Sequence, residues 1–481
     1  MRRPASRAWA LFLFALALLP RLYVALAWAG EPVWDGHYYD YGARRIAAGF
    51  GYSDDLAIGG APAWHPWCHY PVGYSAFLGA FYRVFGAAPH VAAAANASVG
   101  AALAVVTWLL ARNGISEARA RWAGVLVAIH PGLVVYAALV MTEPLAALLT
   151  LAAFAAATSA RSPRRGLVAG ALLLGVGALV RPQALLCAPF LGLAVPLSPA
   201  ARPDRPLARR AAHAAAYGVL ACAIALVPVL PWTARNCRVM DGCALVSTNG
   251  GWNLAIGAFP RATGRFETLR SSDGCREVTG QVQQDRCWLL YGIAQIRENP
   301  ARWLGLVPAK LGFTFDHESF AIEYLREARP AAWPEPRRVA ARAVLSTFHR
   351  WMVAASMLGC IALVGPARER RRAAVTQAIV AATAAALLYR ASGDTPSYWP
   401  LAVFVAVVPW LPLPGSPRWP AALLFPAALL ATTIVTHAVF FGEDRYHVVV
   451  APVFCIFAAA ALRPPSRTPA PRHEPAGAGA A

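Results

Sequence analysis

Long apolar runs, separated by short breaks that carry arginine, repeat along nearly the whole chain. About 20 mostly apolar residues cross a bilayer, and fewer serve where helices tilt. By that measure twelve segments predict membrane-spanning helices: 8–30, 89–111, 121–140, 143–160, 166–180, 183–197, 212–233, 344–365, 374–389, 399–413, 421–441 and 448–462. The first run is too long for the core of a signal peptide and carries Pro20 and Arg21 inside it, so it predicts a retained anchor. The expected fold class is an all-α polytopic membrane bundle of about twelve helices. Its parts are a first anchor (1–30), a large first loop with interfacial helices (31–88), the helices of the first half (89–235), a central loop segment (236–343), C-terminal helices (344–462) and a Pro/Ala/Gly tail (463–481) expected to be disordered.

Arginine placement orients this bundle. Clusters at 1–7, 112–121, 161–165, 202–210, 368–372, 418 and 463–472 share one side if the spans alternate, whereas the short opposite loops hold only Arg181, Arg390 and Arg445. Basic residues favour the cytoplasmic side, so both termini are expected there and the two large loops outside. That arrangement requires 166–197 to be a hairpin turning at Arg181–Pro182. Within the central segment, the amphipathic piece 301–315 is too short to span and is charged at Lys310, so it is expected to lie in the interface. No internal repeat of the inverted-transporter kind is visible.

Composition agrees with this picture and narrows it. Of 481 residues, 58% are hydrophobic and only 14% charged, which excludes a soluble domain, a disordered chain or a disulfide-dense miniprotein. The net charge of +20 follows from insertion topology and calls for no nucleic acid. The weight of Ala and Arg points to a GC-rich bacterium, and hence to the bacterial inner membrane. Cys187, Cys222, Cys360 and Cys455 fall in spans; Cys68, Cys237, Cys243, Cys275 and Cys287 fall in the loops, where an oxidising exterior permits bridges. Cys237–Cys243 and Cys275–Cys287 are the favoured pairings, other connectivities staying open. No C-x-x-C spacing occurs, which argues against structural zinc.

Candidate chemistry gathers at the mouths of the spans, and each signal has a plainer reading. Asp35 follows the first span, where an N-cap for a helix with Tyr39, Ala43, Ile46 and Ala47 on one face would also explain it; Asp40 on that helix is expected to be solvated. Glu143, between Thr142 and Pro144, suits a helix start. Arg181 could snorkel to headgroups or bind an anion. Arg235 and Asn236 end a span, Asn249-Gly250-Gly251 is a turn, and Gly442-Glu443-Asp444-Arg445-Tyr446 precedes the last span. His65, Cys68, His69 and Asp316-His317-Glu318 are metal-ligand types at spacings that match no specific site. The aromatics of 31–88 could stack on sugar rings, although an interfacial belt explains them equally. Together these loci predict an active site at the outer membrane surface.

In this order the residues resemble the GT-C membrane glycosyltransferases, in particular glycosyltransferase family 39, which includes protein O-mannosyltransferases and the lipid A aminoarabinose transferase. The matching elements are Asp35 and Tyr39 leading into Gly49-Phe50-Gly51-Tyr52, then Tyr70-Pro71-Val72-Gly73-Tyr74, Thr142-Glu143-Pro144 and Leu179-Val180-Arg181-Pro182. Pro231-Trp232 with Arg235-Asn236, then Asn249-Gly250-Gly251 with Asn253, and Gly442-Glu443 with Arg445-Tyr446 complete the series. Gly36 stands where many relatives carry a second acid, Val72 replaces a Pro, and 316–440 matches least. The resemblance implies sugar transfer from a polyprenyl-phosphate donor to a hydroxyl acceptor (lipid, glycan or protein) on the extracytoplasmic face, with inversion. Asp35 would be the general base, and Glu143 a second acid orienting the acceptor or helping to hold a divalent cation, the one cofactor implied. Arg181, Arg235 and Arg445 would meet the donor phosphate, with Tyr39, Tyr70, Tyr74, Asn236, Asn249 and Tyr446 completing the substrate site. A transporter or lipid-linked sugar flippase is the main rival, and a non-catalytic scaffold the next. Against the transporter, span centres are almost purely Ala, Leu and Val, with the acids at the mouths. No motif specifies the sugar.

Overall fold

The computed structural model describes residues 4–54, 57–197, 206–364, 370–393, 395–414 and 418–462. The tail from Arg463 and the arginines at 202, 205 and 368 lie outside these residues. All twelve predicted apolar segments are helical. Among the described residues seven helices are long and apolar enough to cross a membrane: Ser6–Trp28, Pro89–Ala111, Pro163–Val180, Glu335–Leu363, Arg371–Ala391, Ala421–Val439 and Asp444–Ala461. Two bent pairs, Glu117–Ile129 with Pro131–Ala138 and Ala208–Leu226 with Leu230–Val239, raise the number to nine. The chain is therefore a multi-pass membrane protein, with seven to nine such helices among the described residues where about twelve spans are expected. The difference is three shorter apolar helices, Glu143–Ser159, Pro182–Ala194 and Trp399–Trp410. The first of these, at 1.5 Å per residue, reaches about 26 Å, short of a core about 30 Å thick.

The breaks have chemical causes. Pro131 denies the helix Glu117–Ile129 the N–H its next turn needs, and the chain bends by 52° there. Carbonyls freed at that helix end cannot go unpaired in an apolar interior. Arg21, fully buried in the first helix, answers them: its guanidinium donates to Ala128 O at 2.7 Å, Val127 O at 2.8 Å and its own helix's Ala17 O at 2.8 Å. Gly100 on the neighbouring helix leaves room for that side chain, since a Cβ there would collide with it. After Val180 the chain turns at Arg181, and Pro182–Ala194 packs back against Pro163–Val180 as the hairpin reading expects.

In the first loop, helices Asp35–Ala47 and Val72–Phe85 pack against each other, and the chain between them forms a two-stranded ribbon, Ala57–Ile58 with Ala61–Pro62. Asp40 is not solvated: it is buried and accepts from the Tyr82 hydroxyl and, at 2.6 Å, from Arg44. The central segment carries both favoured disulfides, Cys237–Cys243 and Cys275–Cys287. Closing the latter, 12 residues apart, removes about 3 kcal/mol of chain entropy from the unfolded state in the loop-closure account. Helices Pro300–Gly305 and Val307–Phe315 cover the 301–315 piece. Its Lys310 is fully buried, contrary to an interfacial charge, because the ammonium caps the end of Ala421–Val439 by donating to Ala438 O at 3.3 Å and Val439 O at 3.1 Å.

Candidate active site

One cleft of about 510 Å³ collects side chains from six separate stretches: Asp35 and Tyr39; His69 and Tyr70; Thr142 and Glu143; Arg181 and Gln183; Ser247, Asn249 and Trp252; and His437, Arg445 and Tyr446. Its volume lies in the range of small-molecule sites. Val180, Leu186, Leu245, Ile256, Phe266 and Phe440 make much of the wall apolar. A polar floor therefore meets walls suited to hydrocarbon.

Two carboxylate–arginine pairs form that floor. Asp35 Oδ2 lies 2.5 Å from Arg445 Nη1, and Asp35 Oδ1 accepts from the Tyr70 hydroxyl at 2.6 Å. Glu143 is fully buried; its Oε1 accepts from Arg181 Nη1 at 2.7 Å, and Arg181 Nη1 also donates to Thr142 Oγ1 at 3.1 Å. Glu143 Oε2 has no hydrogen-bond partner among the described residues. Tyr446 sits between the two cations, its ring 5.3 Å from the Arg181 guanidinium and 5.0 Å from that of Arg445. Asp35 therefore does not cap its helix: the N-cap position belongs to Trp34, and no side chain caps there. Trp34 takes φ of 50°, a left-handed conformation that a bulky residue adopts at a cost of about 1–3 kcal/mol. Its ring is held against Phe320 and Tyr324, at 5.4 and 5.9 Å, and this fixes where Asp35 leaves the backbone.

Electrostatics keep Asp35 charged. Burial alone would raise its carboxyl, but the Arg445 charge and the hydrogen bonds from Tyr70 and Arg445 hold it below the usual aspartate value. Burial, then the Asp35 charge, push the Tyr70 hydroxyl well above its ordinary value, so it remains the donor of that pair. Gly36, where a second acid stands in the resembling enzymes, has no room for one: a Cβ would run into the Tyr324 hydroxyl and Val140 O.

Three predicted residues lie away from the cleft. Arg235 donates to Tyr52 O at 2.7 Å and Trp67 O at 3.0 Å, clamping the first loop to the helix Leu230–Val239. Asn236 is buried and donates to Ala244 O at 3.0 Å, closing a turn. The Tyr74 hydroxyl donates to Asn96 Oδ1 at 2.9 Å inside the helix packing. His437 and Trp252, which no sequence signal marks as site residues, line the cleft, and Glu443 of the Gly442–Tyr446 motif pairs with Arg445 beside it. His437 stacks on Tyr446 at 4.0 Å with its Nδ1 donating to Phe441 O, which leaves Nε2 as an acceptor. Glu443 Oε2 lies 2.5 Å from Arg445 Nε, an ion pair without hydrogen-bond alignment. Burial, offset in part by Arg445 and reinforced by the neighbouring acids, brings the Glu443 carboxyl up to about 7. His69 also lines the cleft, its imidazole pushed down to about 4 by burial against the opposing pull of Asp35. A single histidine in an apolar helix carries no spacing signal, which is why His437 escaped notice.

No family model matches the chain, and no curated protein matches it. Among solved structures it is similar to the archaeal oligosaccharyltransferase AglB from Archaeoglobus fulgidus in complex with an inhibitory peptide and a dolichol-phosphate, with a TM-score of 0.39 and 14% identity over 95% of this chain and 56% of that one. It is also similar to ArnT from Cupriavidus metallidurans in the apo state, with a TM-score of 0.37 and 16% identity over 93% of this chain and 78% of that one. The same protein bound to undecaprenyl phosphate gives a TM-score of 0.37 and 16% identity over 92% and 78%. The chain spans 56% of the length of the oligosaccharyltransferase.

Proposed function

We propose that the protein is an inverting membrane glycosyltransferase that moves a sugar from a polyprenyl-phosphate carrier to a hydroxyl acceptor at the extracytoplasmic surface, both termini being cytoplasmic. The observation that carries this reading is the pairing of Asp35 with Arg445 and Glu143 with Arg181 at the floor of one apolar-walled cleft. The carrier belongs to the chemical class bound in the oligosaccharyltransferase and ArnT structures. Asp35 accepts the acceptor's hydroxyl proton as that oxygen bonds to the anomeric carbon. The bond from the anomeric carbon to the phosphate oxygen breaks on the opposite side, and the polyprenyl phosphate leaves with both electrons. Arg445 and Arg181 stabilise the negative charge that develops there. Glu143 holds Arg181 in place, and Trp252 and Tyr39 offer faces to the sugar. No step is routed through a divalent cation, because each carboxylate of the floor already has an arginine as its counter-charge.

The direct test uses the full chain in lipid nanodiscs with a panel of polyprenyl-phosphate hexoses and pentoses and an extract of envelope lipids and glycans. Mass spectrometry should show the sugar-linked lipid consumed, free polyprenyl phosphate released and a glycosylated acceptor formed. Movement of the intact donor between leaflets without cleavage would instead make the protein a flippase.

Glu443 adds a pH dependence. Between about pH 8 and 6 it takes up a proton, and the surroundings of Arg445 lose one negative charge. The donor phosphodiester stays a monoanion across that range and should bind more tightly at the lower pH, its KM falling by up to about tenfold, or 1.4 kcal/mol. Glu443→Gln should keep the low KM at both pH values. An equal pH dependence in both proteins would assign the titration to another group.

A further inference from the structure

Behind the cleft, three side chains that the proposed reaction does not use meet in the interior. Glu318 comes from the loop between helices Val307–Phe315 and Phe320–Ala328, His349 from the middle of Glu335–Leu363, and His447 from the turn Asp444–Val450 that also carries Arg445. All three are buried, and the atoms they offer lie within 4.8 Å of one another. His447 Nε2 is 3.7 Å from Glu318 Oε2.

The proton inventory decides what can sit among them. His447 Nδ1 lies 2.7 Å from Thr314 O, and His349 Nε2 lies 2.9 Å from Phe315 O. A carbonyl only accepts, so those two nitrogens carry the hydrogens, and in the neutral imidazoles His447 Nε2 and His349 Nδ1 present lone pairs. Among the described residues neither of these nitrogens nor either Glu318 oxygen has a hydrogen-bond partner. A buried group of acceptors facing one another without a donor is unfavourable, because each has lost water and gained no partner. One added proton could bridge a single pair of them; a divalent ion could bind all three side chains.

We propose that Glu318, His349 and His447 bind a divalent transition ion of the zinc class, a site separate from the sugar-transfer floor. Two imidazoles and a carboxylate suit zinc, and the carbonyls on the far ring nitrogens orient the ligands as they do around metal-bound histidines. Gly132 seats the carboxylate, since a Cβ there would collide with Glu318. The imidazoles are stacked 3.8 Å apart, so binding swings one ring until both lone pairs converge. The ion would bind the 316–319 loop, the helix Glu335–Leu363 and the turn bearing Arg445 into one unit. Of the ligand types noted in the sequence, only Glu318 takes part.

The test reads metal, not sugar transfer, so it stands or falls independently of the transferase reading. The full chain, purified without a histidine tag, is loaded with Zn²⁺, stripped of loose ion on a chelating resin and measured by elemental analysis. The wild type should retain about one zinc per chain, and His349→Ala and Glu318→Gln should each weaken retention at least tenfold, as loss of a ligand does. His65→Ala should retain it fully. If the variants do not fold, Co²⁺-loaded wild type decides: ligand-field bands of a low-coordinate nitrogen and oxygen site support the proposal. Their absence, failure of the wild type to hold zinc, or undiminished zinc in folded variants overturns it.

Discussion

Asp35→Asn should lower the turnover number by about 10²–10⁴-fold, the usual contribution of a positioned general base. The amide keeps the shape of the carboxylate and can still accept from Tyr70, so the helix Asp35–Ala47 and its packing should survive. What it loses is the negative charge that takes the acceptor's proton. The same change frees Arg445 from its 2.5 Å partner, so the donor's KM should stay level or fall while kcat collapses. That split separates a base from a residue that merely holds the donor. Single-turnover transfer in nanodiscs measures it, with membrane insertion checked on the same preparation. A loss of less than tenfold in kcat would remove Asp35 from the proton transfer.

Arg445→Ala should cost about 10²–10³-fold in kcat, comparable to removing a donor aimed at developing negative charge, about 2.7–4 kcal/mol. Its effect should extend to binding, because Asp35 and Glu443 then face the donor phosphate without their shared counter-charge. KM for the donor should therefore rise as kcat falls. Arg445→Lys should recover only part of the activity: an ammonium supplies charge but not a planar fork that reaches Asp35, Glu443 and Tyr446 together. Kinetics that Arg445→Ala leaves within a factor of two would reduce Arg445 to a marker of headgroup level.

The positions of these residues were legible in the sequence, but their pairings were not. Asp35, Glu143, Arg181 and Arg445 stand out as polar groups at the mouths of apolar helices. Yet Asp35 and Arg445 are 410 positions apart, and only packing brings them together. Apolar runs identify spans well because composition alone makes a segment partition into lipid. They decide less at the three shorter helices, where neither composition nor length separates a span from a buried helix. Local readings also failed where a polar side chain serves a distant backbone: Lys310 caps a helix more than a hundred residues away, and Arg235 and Asn236 hold loop carbonyls. Asp40 escaped because its burial depends on Tyr82 from another helix. His349 and His447 carry no pattern at all until the fold stacks them.

Arg21 makes the first helix a working part of the bundle. A generic hydrophobic leader grafted in its place would keep the protein in the bilayer but strand the carbonyls of Val127 and Ala128 in hydrocarbon. Such a chimera should insert normally and still lose thermal stability, and a graft that retains one arginine at that depth should restore it.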